Sequence, residues 1–185
     1  MCLLIYKKYL MYIVLKGFYD KNSQIYIFDY LTLWGENMRL VIQRVKEAQV
    51  AVANQLINKI GPGFLIFVGV THNDTSKDVE YLVRKVTNLR IFEDENHKMN
   101  IAIKDLGYEI LSISQFTLYA DTRNGNRPSF TLAAAPSFAK QLYEEFNQKL
   151  LQTGLVVKEG LFGEHMEISL INDGPVTIII DSKEY

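Results

Sequence analysis

GPGFLIFVGVTHNDTSKDVEYLVRKVTNLR, residues 61–90, passes from turn to strand to turn to helix in quick succession. Gly61-Pro62-Gly63 interrupts any regular element. Phe64 to Val70 is then a continuous apolar run, the pattern of a buried strand. Thr71 to Thr75 is turn-forming, and Asp74 or Ser76 can cap a helix. Val79, Leu82, Val83, Val86 and Leu89 follow on one helical face. Working outward, Arg39–Lys46 and Ala48–Ala53 alternate and are β-branched, which predicts two strands. Tyr108–Tyr119 reads as the longest strand. Pro136 is placed to open a second helix, with Phe138, Leu142, Phe146 and Leu150 inward and Gly154 just past its end. Three strands, roughly 155–160, 165–171 and 176–181, finish the chain, and their short connections favour antiparallel pairing. The expected fold is a single α/β domain, a mostly antiparallel, barrel-like sheet with two main helices.

The bulk numbers bound the function. A chain of 185 residues that is 48% apolar and 22% charged can bury a real core. A formal charge of −1 excludes a generic polyanion binder, so any RNA contact must come from a local patch. Cys2 is the only cysteine, which excludes a disulfide framework and a cysteine-based metal site and fits a reducing cytoplasm. His72, His97 and His165 are dispersed without metal-ligand spacing. No metal or organic cofactor is expected.

Residues 1–37 differ from the rest, holding nine of the 22 aromatic residues and Lys without Arg. Lys7, Lys8 and Lys16 break the apolar run, and no small-residue cleavage site follows, so a signal peptide is not expected. Tyr9 to Leu15 falls far short of the ~20 residues that span a bilayer. A surface-lying helix is one reading of this segment. The plainer one makes it a mis-assigned extension, with a domain of residues 38–185 starting at Met38, where MRLVIQRV reads as an opening strand.

Two signatures carry chemistry. Ser114-Gln115-Phe116-Thr117 falls where the long strand meets a polar loop. A hydroxyl beside an amide can orient a substrate, and exposed backbone N–H groups can stabilise an oxyanion. The same four residues also suit an ordinary strand, and no nucleophile-base-orienter triad can be assembled around them. Asn172-Asp173-Gly174-Pro175 reads first as a turn. A cis Gly-Pro bond there would instead aim fixed carbonyls at a substrate ammonium. Between the signatures, Arg123 and Arg127 flank Gly125 in a polar loop, as solvated charges or as a phosphate grip.

MRLVIQRV at 38–45, SQFTLYAD at 114–121, RPSF at 127–130 and NDGPVT at 172–177 together resemble the D-aminoacyl-tRNA deacylases, in the expected order. The resemblance covers residues 38–185. It implies a homodimer with active sites at the subunit interface, hydrolysing the ester that joins a D-amino acid to the tRNA 3′ end. It implies that Gly174 and Pro175 form a Gly-cis-Pro element that enters the partner's site, receives the substrate amino group and excludes L side chains. Glycyl-tRNA, without a side chain, would also be cleavable. By the same resemblance Arg44 braces that element, Asn172 and Thr177 belong to its motif, and Ser114, Gln115, Phe116 and Thr117 form the catalytic strand end. Thr117 matches a proposed nucleophile; in the other scheme the terminal ribose 2′-hydroxyl helps activate water and the Phe116 N–H serves the oxyanion. With no base beside Thr117, the second scheme is favoured. Other classes remain open: a non-catalytic RNA-binding domain using Arg123 and Arg127, a deacylase of relaxed chirality with a trans Gly-Pro bond, and a membrane-surface protein anchored by residues 1–37.

Overall fold

The computed structural model describes residues 37–182. The readings of residues 1–36 therefore lie outside the described residues. Strand β1 (Arg39–Val52) turns at Ala53–Asn54 into β2 (Gln55–Ile60) and β3 (Gly63–Gly69). Helix α1 (Ser76–Asn88) follows, then the hairpin β4 (Arg90–Glu93) and β5 (Met99–Ala102). After β6 (Glu109–Ser114) come a 3₁₀ turn (Phe116–Tyr119), helix α2 (Pro136–Gln152), β7 (Val156–Glu159) and β8 (Glu167–Asp181).

β2 and β3 lie end to end along one edge of β1, from Val52↔Gln55 to Arg39↔Gly69, and β8 runs antiparallel along the other. β6 joins β3 in parallel and β7 joins β6 in parallel. The sheet then curls towards closure. Asn58 Nδ2 on β2 donates to the Glu159 carbonyl at 2.7 Å, and Lys158 Nζ donates to the Lys59 carbonyl at 2.7 Å. The result is the expected α/β domain, with two helices on a nearly closed, mostly antiparallel sheet.

The two faces of the sheet fill two cores. Leu40, Ile42, Phe64, Ile66 and Ile110 meet Val79, Leu82 and Val86 of α1 and Leu142, Phe146 and Leu150 of α2. Val45, Ala48, Val50, Ile60, Leu65, Leu111 and Ile113 fill the inside of the curl. Each large side chain so buried contributes about 1.5–3 kcal/mol. The α1 stripe and the bounds of α2 match the sequence reading; Pro136 stands at the helix start, and Gly154 follows it at φ +88°. The α1 cap is Thr75, not Asp74 or Ser76. Asp78 accepts from the Thr75 N–H at 2.8 Å, while Asp74 closes the preceding turn by accepting from Thr71 N–H at 2.7 Å.

Three strand boundaries differ from expectation. The two predicted opening strands are one, because a bulge near Val45–Glu47 lets β1 change faces without ending. The predicted long strand at 108–119 stops at Ser114, where Gln115 leaves the sheet. The last two predicted strands are the single strand β8. Gln43 pairs Thr177 and Val45 pairs Asn172, so residues 173–176 bulge out without reversing the chain. β7 is parallel to its neighbour because the α2 crossover precedes it. Among the described residues no helix is long and apolar enough to cross a membrane.

Candidate active site

The polar end of β6 is shaped by what it packs on. Gln115 N–H still donates to the Val68 carbonyl at 2.8 Å, tying the strand end to β3. The chain then winds into the 3₁₀ turn, which sits on Gly69. A Cβ there would lie 2.9 Å from Tyr119 Cε2, so only glycine admits the turn this closely. Tyr119 anchors the far side, its buried hydroxyl donating to the Asn37 carbonyl at 2.6 Å, and burial pushes that hydroxyl's pKa up. Phe116 and Thr117 stand first in the turn, where N–H groups have no partner within it. Gln115 Nε2 donates to Thr117 Oγ1 at 2.6 Å, so the amide occupies the hydroxyl. Among the described residues, no histidine or carboxylate bonds to Thr117.

Ser114, Gln115 and Phe116 open onto a cleft of about 540 Å³. Its walls are Val68 of β3 and Val70 just past it, Phe130, Ala133 and Ala134 of the loop before α2, Pro136, Ala139 and Tyr143 of α2, and residues 162–166 before β8. The walls are largely apolar, with Glu164 and His165 among the lining residues. Sequence reading missed the 162–166 wall and Tyr143. Gly160 and Gly163 on either side of Phe162 were the available signal, as paired loop formers just before a strand.

The second signature lies elsewhere. The Gly174-Pro175 bond is cis, and both residues are exposed on the bulge of β8. Asn172 shapes the bulge by accepting from Val176 N–H at 3.0 Å and donating to its carbonyl at 3.1 Å. Arg44, 5% exposed, braces it from beneath. Its Nε donates to the Asp173 carbonyl at 2.7 Å and its Nη1 to the Ile91 carbonyl at 2.6 Å, with Asp173 and Glu93 carboxylates at 3.3 and 3.7 Å. Hydrogen bonds to a charged donor are worth about 1.5–3 kcal/mol each, so this bulge is held firmly. Thr177 accepts from Gln43 Nε2 at 3.2 Å.

Within one chain these two constellations stand apart. Val68 pairs Ser114 at the polar end of β6, whereas Phe64 is the neighbour of Arg44. At strand spacings this separates the Gly-Pro bulge from Ser114 by about 13 Å along and about 14 Å across the sheet.

The loop arginines differ from one another. Arg123 forks onto Asp121 at 2.9 and 2.7 Å, and its guanidinium and backbone N–H hold the Asp121 carboxyl down at about 2. Arg127 is exposed and makes no ion pair among the described residues. Because the Asp121 pKa is lowered, the fork persists above the ordinary aspartate range and is lost only as pH falls towards about 2. An NMR titration of the Asp121 carboxyl should find its midpoint there, and Arg123→Ala should raise it only part of the way to the ordinary aspartate value, because the backbone N–H of residue 123 still donates to the carboxyl.

Among the described residues, no group of three or more His, Cys, Asp or Glu side chains is arranged to hold a metal. The D-Tyr-tRNA(Tyr) deacylase family model matches residues 41–181. The D-aminoacyl-tRNA deacylase of Halothermothrix orenii is 56% identical over 147 residues, covering 80% of this chain and 99% of that protein. That of Bacillus licheniformis is 56% identical over 146 residues, covering 79% and 99%. A solved structure described as c-Myc DNA Unwinding Element Binding Protein matches with TM-score 0.73 at 42% identity, covering 77% of this chain and 97% of that one. The chain therefore belongs to the D-aminoacyl-tRNA deacylase family, hydrolases of the ester bond in aminoacyl-tRNA.

Proposed function

We propose that this protein cleaves D-aminoacyl-tRNA at the cleft beside Phe116, in a composite site completed by the Gly-Pro bulge of a second copy. The observation that carries this reading is the pair of uncommitted N–H groups at Phe116 and Thr117 beside an apolar cleft of about 540 Å³. Such a cleft is large enough for a nucleoside and its ester-linked amino acid. The Phe116 N–H receives the negative charge that develops on the ester carbonyl oxygen. Gln115 and Thr117, already bonded to each other, position that N–H and the attacking water. The terminal ribose 2′-hydroxyl of the tRNA helps to activate that water. An aminoacyl ester is reactive enough for positioning and charge stabilisation to suffice.

Selectivity comes from the carbonyls around Gly174 and Pro175, set by Arg44 and Asn172 and reaching the partner's cleft with Thr177 beside them. The wide separation of the two constellations in one chain supports a homodimer, since each copy lacks half of a site. Received by these carbonyls, the substrate ammonium directs an L side chain into the bulge, whereas a D side chain points away. Glycyl-tRNA passes the same gauge. Arg127 contacts the tRNA backbone, with Arg123 steadying its loop, and the cytoplasm is the expected compartment.

Thr117→Ala separates the two mechanisms. A positioning role leaves the single-turnover rate on D-tyrosyl-tRNA within about tenfold of wild type, whereas loss of a nucleophile removes several orders of magnitude. A fall of the second kind would replace the water mechanism with a covalent one.

A further inference from the structure

Phe130 is an aromatic residue at the end of a polar loop, 36% exposed, and its position is fixed on both sides. Upstream, Ser129 and Asp121 exchange two backbone hydrogen bonds, each 2.8 Å. Downstream, the Phe130 carbonyl accepts from Ala133 N–H at 3.0 Å, and Thr71 Oγ1 donates to the Leu132 carbonyl at 2.6 Å. A ring held this way is a surface against which something else can be set. What it meets is Phe116, edge to face, with centroids 5.1 Å apart and planes at 73°. Phe116 needs such a support, because the residue is 57% exposed. The Gln115–Val68 bond and the Gln115–Thr117 contact fix the turn from inside. Phe130 closes it from outside.

We propose that Phe130 is a positioning residue for ester hydrolysis: its ring holds Phe116, and with it the Phe116 N–H, in line with the reacting carbonyl. Phe130 acts through Phe116 and needs no contact with the reacting atoms. This inference rests on the deacylase reading and adds to it a link between the arginine-bearing loop and the chemistry. Loop residues 121–129 end at Phe130, so a tRNA backbone held by Arg127 is registered against the oxyanion donor by one side chain.

The test compares Phe130→Ala with Phe130→Tyr in the full chain, using D-tyrosyl-tRNA. Single-turnover rate at saturating enzyme should fall about tenfold in F130A, as a small misplacement of a catalytic group demands. Half-saturating enzyme concentration should stay within about twofold of wild type, and F130Y should restore the rate. The backbone amide resonance of Phe116 should shift in F130A and not in F130Y, a readout independent of turnover. Phe130→Leu replaces the alanine variant if that one fails to fold. An unchanged rate, a loss confined to binding, or a Phe116 amide that stays in place would each overturn the proposal. A wild-type protein inert on the ester would overturn the deacylase reading instead, while the amide shift still decides whether Phe130 sets Phe116.

Discussion

Phe116→Pro should lower the rate of D-aminoacyl ester hydrolysis by about 10²–10³-fold, whereas Phe116→Ala should stay within about tenfold of wild type. Proline deletes the one atom on which the mechanism turns, the N–H at residue 116, and alanine keeps it. Few positions would tolerate this exchange, but the first residue of a helical turn is one of them, because its N–H has no partner inside the turn. Gln115, at φ −146° and ψ 87°, already lies outside the helical region that a following proline disfavours. The fold should survive, with melting temperature as the check. A folded proline variant with wild-type turnover would remove Phe116 from the oxyanion role.

Gly174→Ala should reduce turnover of the D ester by about 100-fold and narrow the ratio of D to L cleavage. The cause is local crowding. A Cβ on Gly174 would collide with the backbone nitrogen of Val176 and lie 2.7 Å from Val176 Cγ2, so the bulge must move. The backbone angle at Gly174 is one that other residues adopt, and conformational freedom is not what requires glycine there. Moving the bulge misplaces its carbonyls, among them those of Asp173 and Val176 that Arg44 and Asn172 hold in register. Because Gly174 and Pro175 are exposed, the fold should lose no more than about 1–2 kcal/mol. Chemical denaturation alongside paired D and L assays separates the two effects. Unchanged selectivity in a folded variant would detach the bulge from chiral choice.

Much of the fold was legible because its signals are local. The α1 stripe, Pro136 opening α2 and Gly154 ending it depend on periodicity and on backbone chemistry that travels with the residue. The strand boundaries were harder, for opposite reasons. Asn172 to Gly174 carries every mark of a turn, yet the Asn172 side chain bonds across to Val176 and keeps β8 running. Nothing within that segment distinguishes a reversal from a bulge; the long partner strand β1 decides it. At Gln115 the reverse happens, where a strand-like pattern ends because the turn finds room on Gly69, far away in sequence.

The candidate site divides in the same way. Its short motifs could be read directly, whereas the cleft wall at 162–166 and the contact between Phe130 and Phe116 exist only once distant segments meet. The separation of Arg44 and Gly174 from Ser114 also belongs to this second kind. It arises from strand order and register, which no single stretch encodes.

Chiral hydrolysis is tested by the release of tyrosine from matched D- and L-tyrosyl-tRNA by the purified protein. Rapid release from the D ester, with the L ester spared, is the expected result. Equal cleavage of both would contradict the selectivity assigned to the Gly174-Pro175 bulge. Cleavage of neither by the folded protein would contradict the hydrolytic site itself.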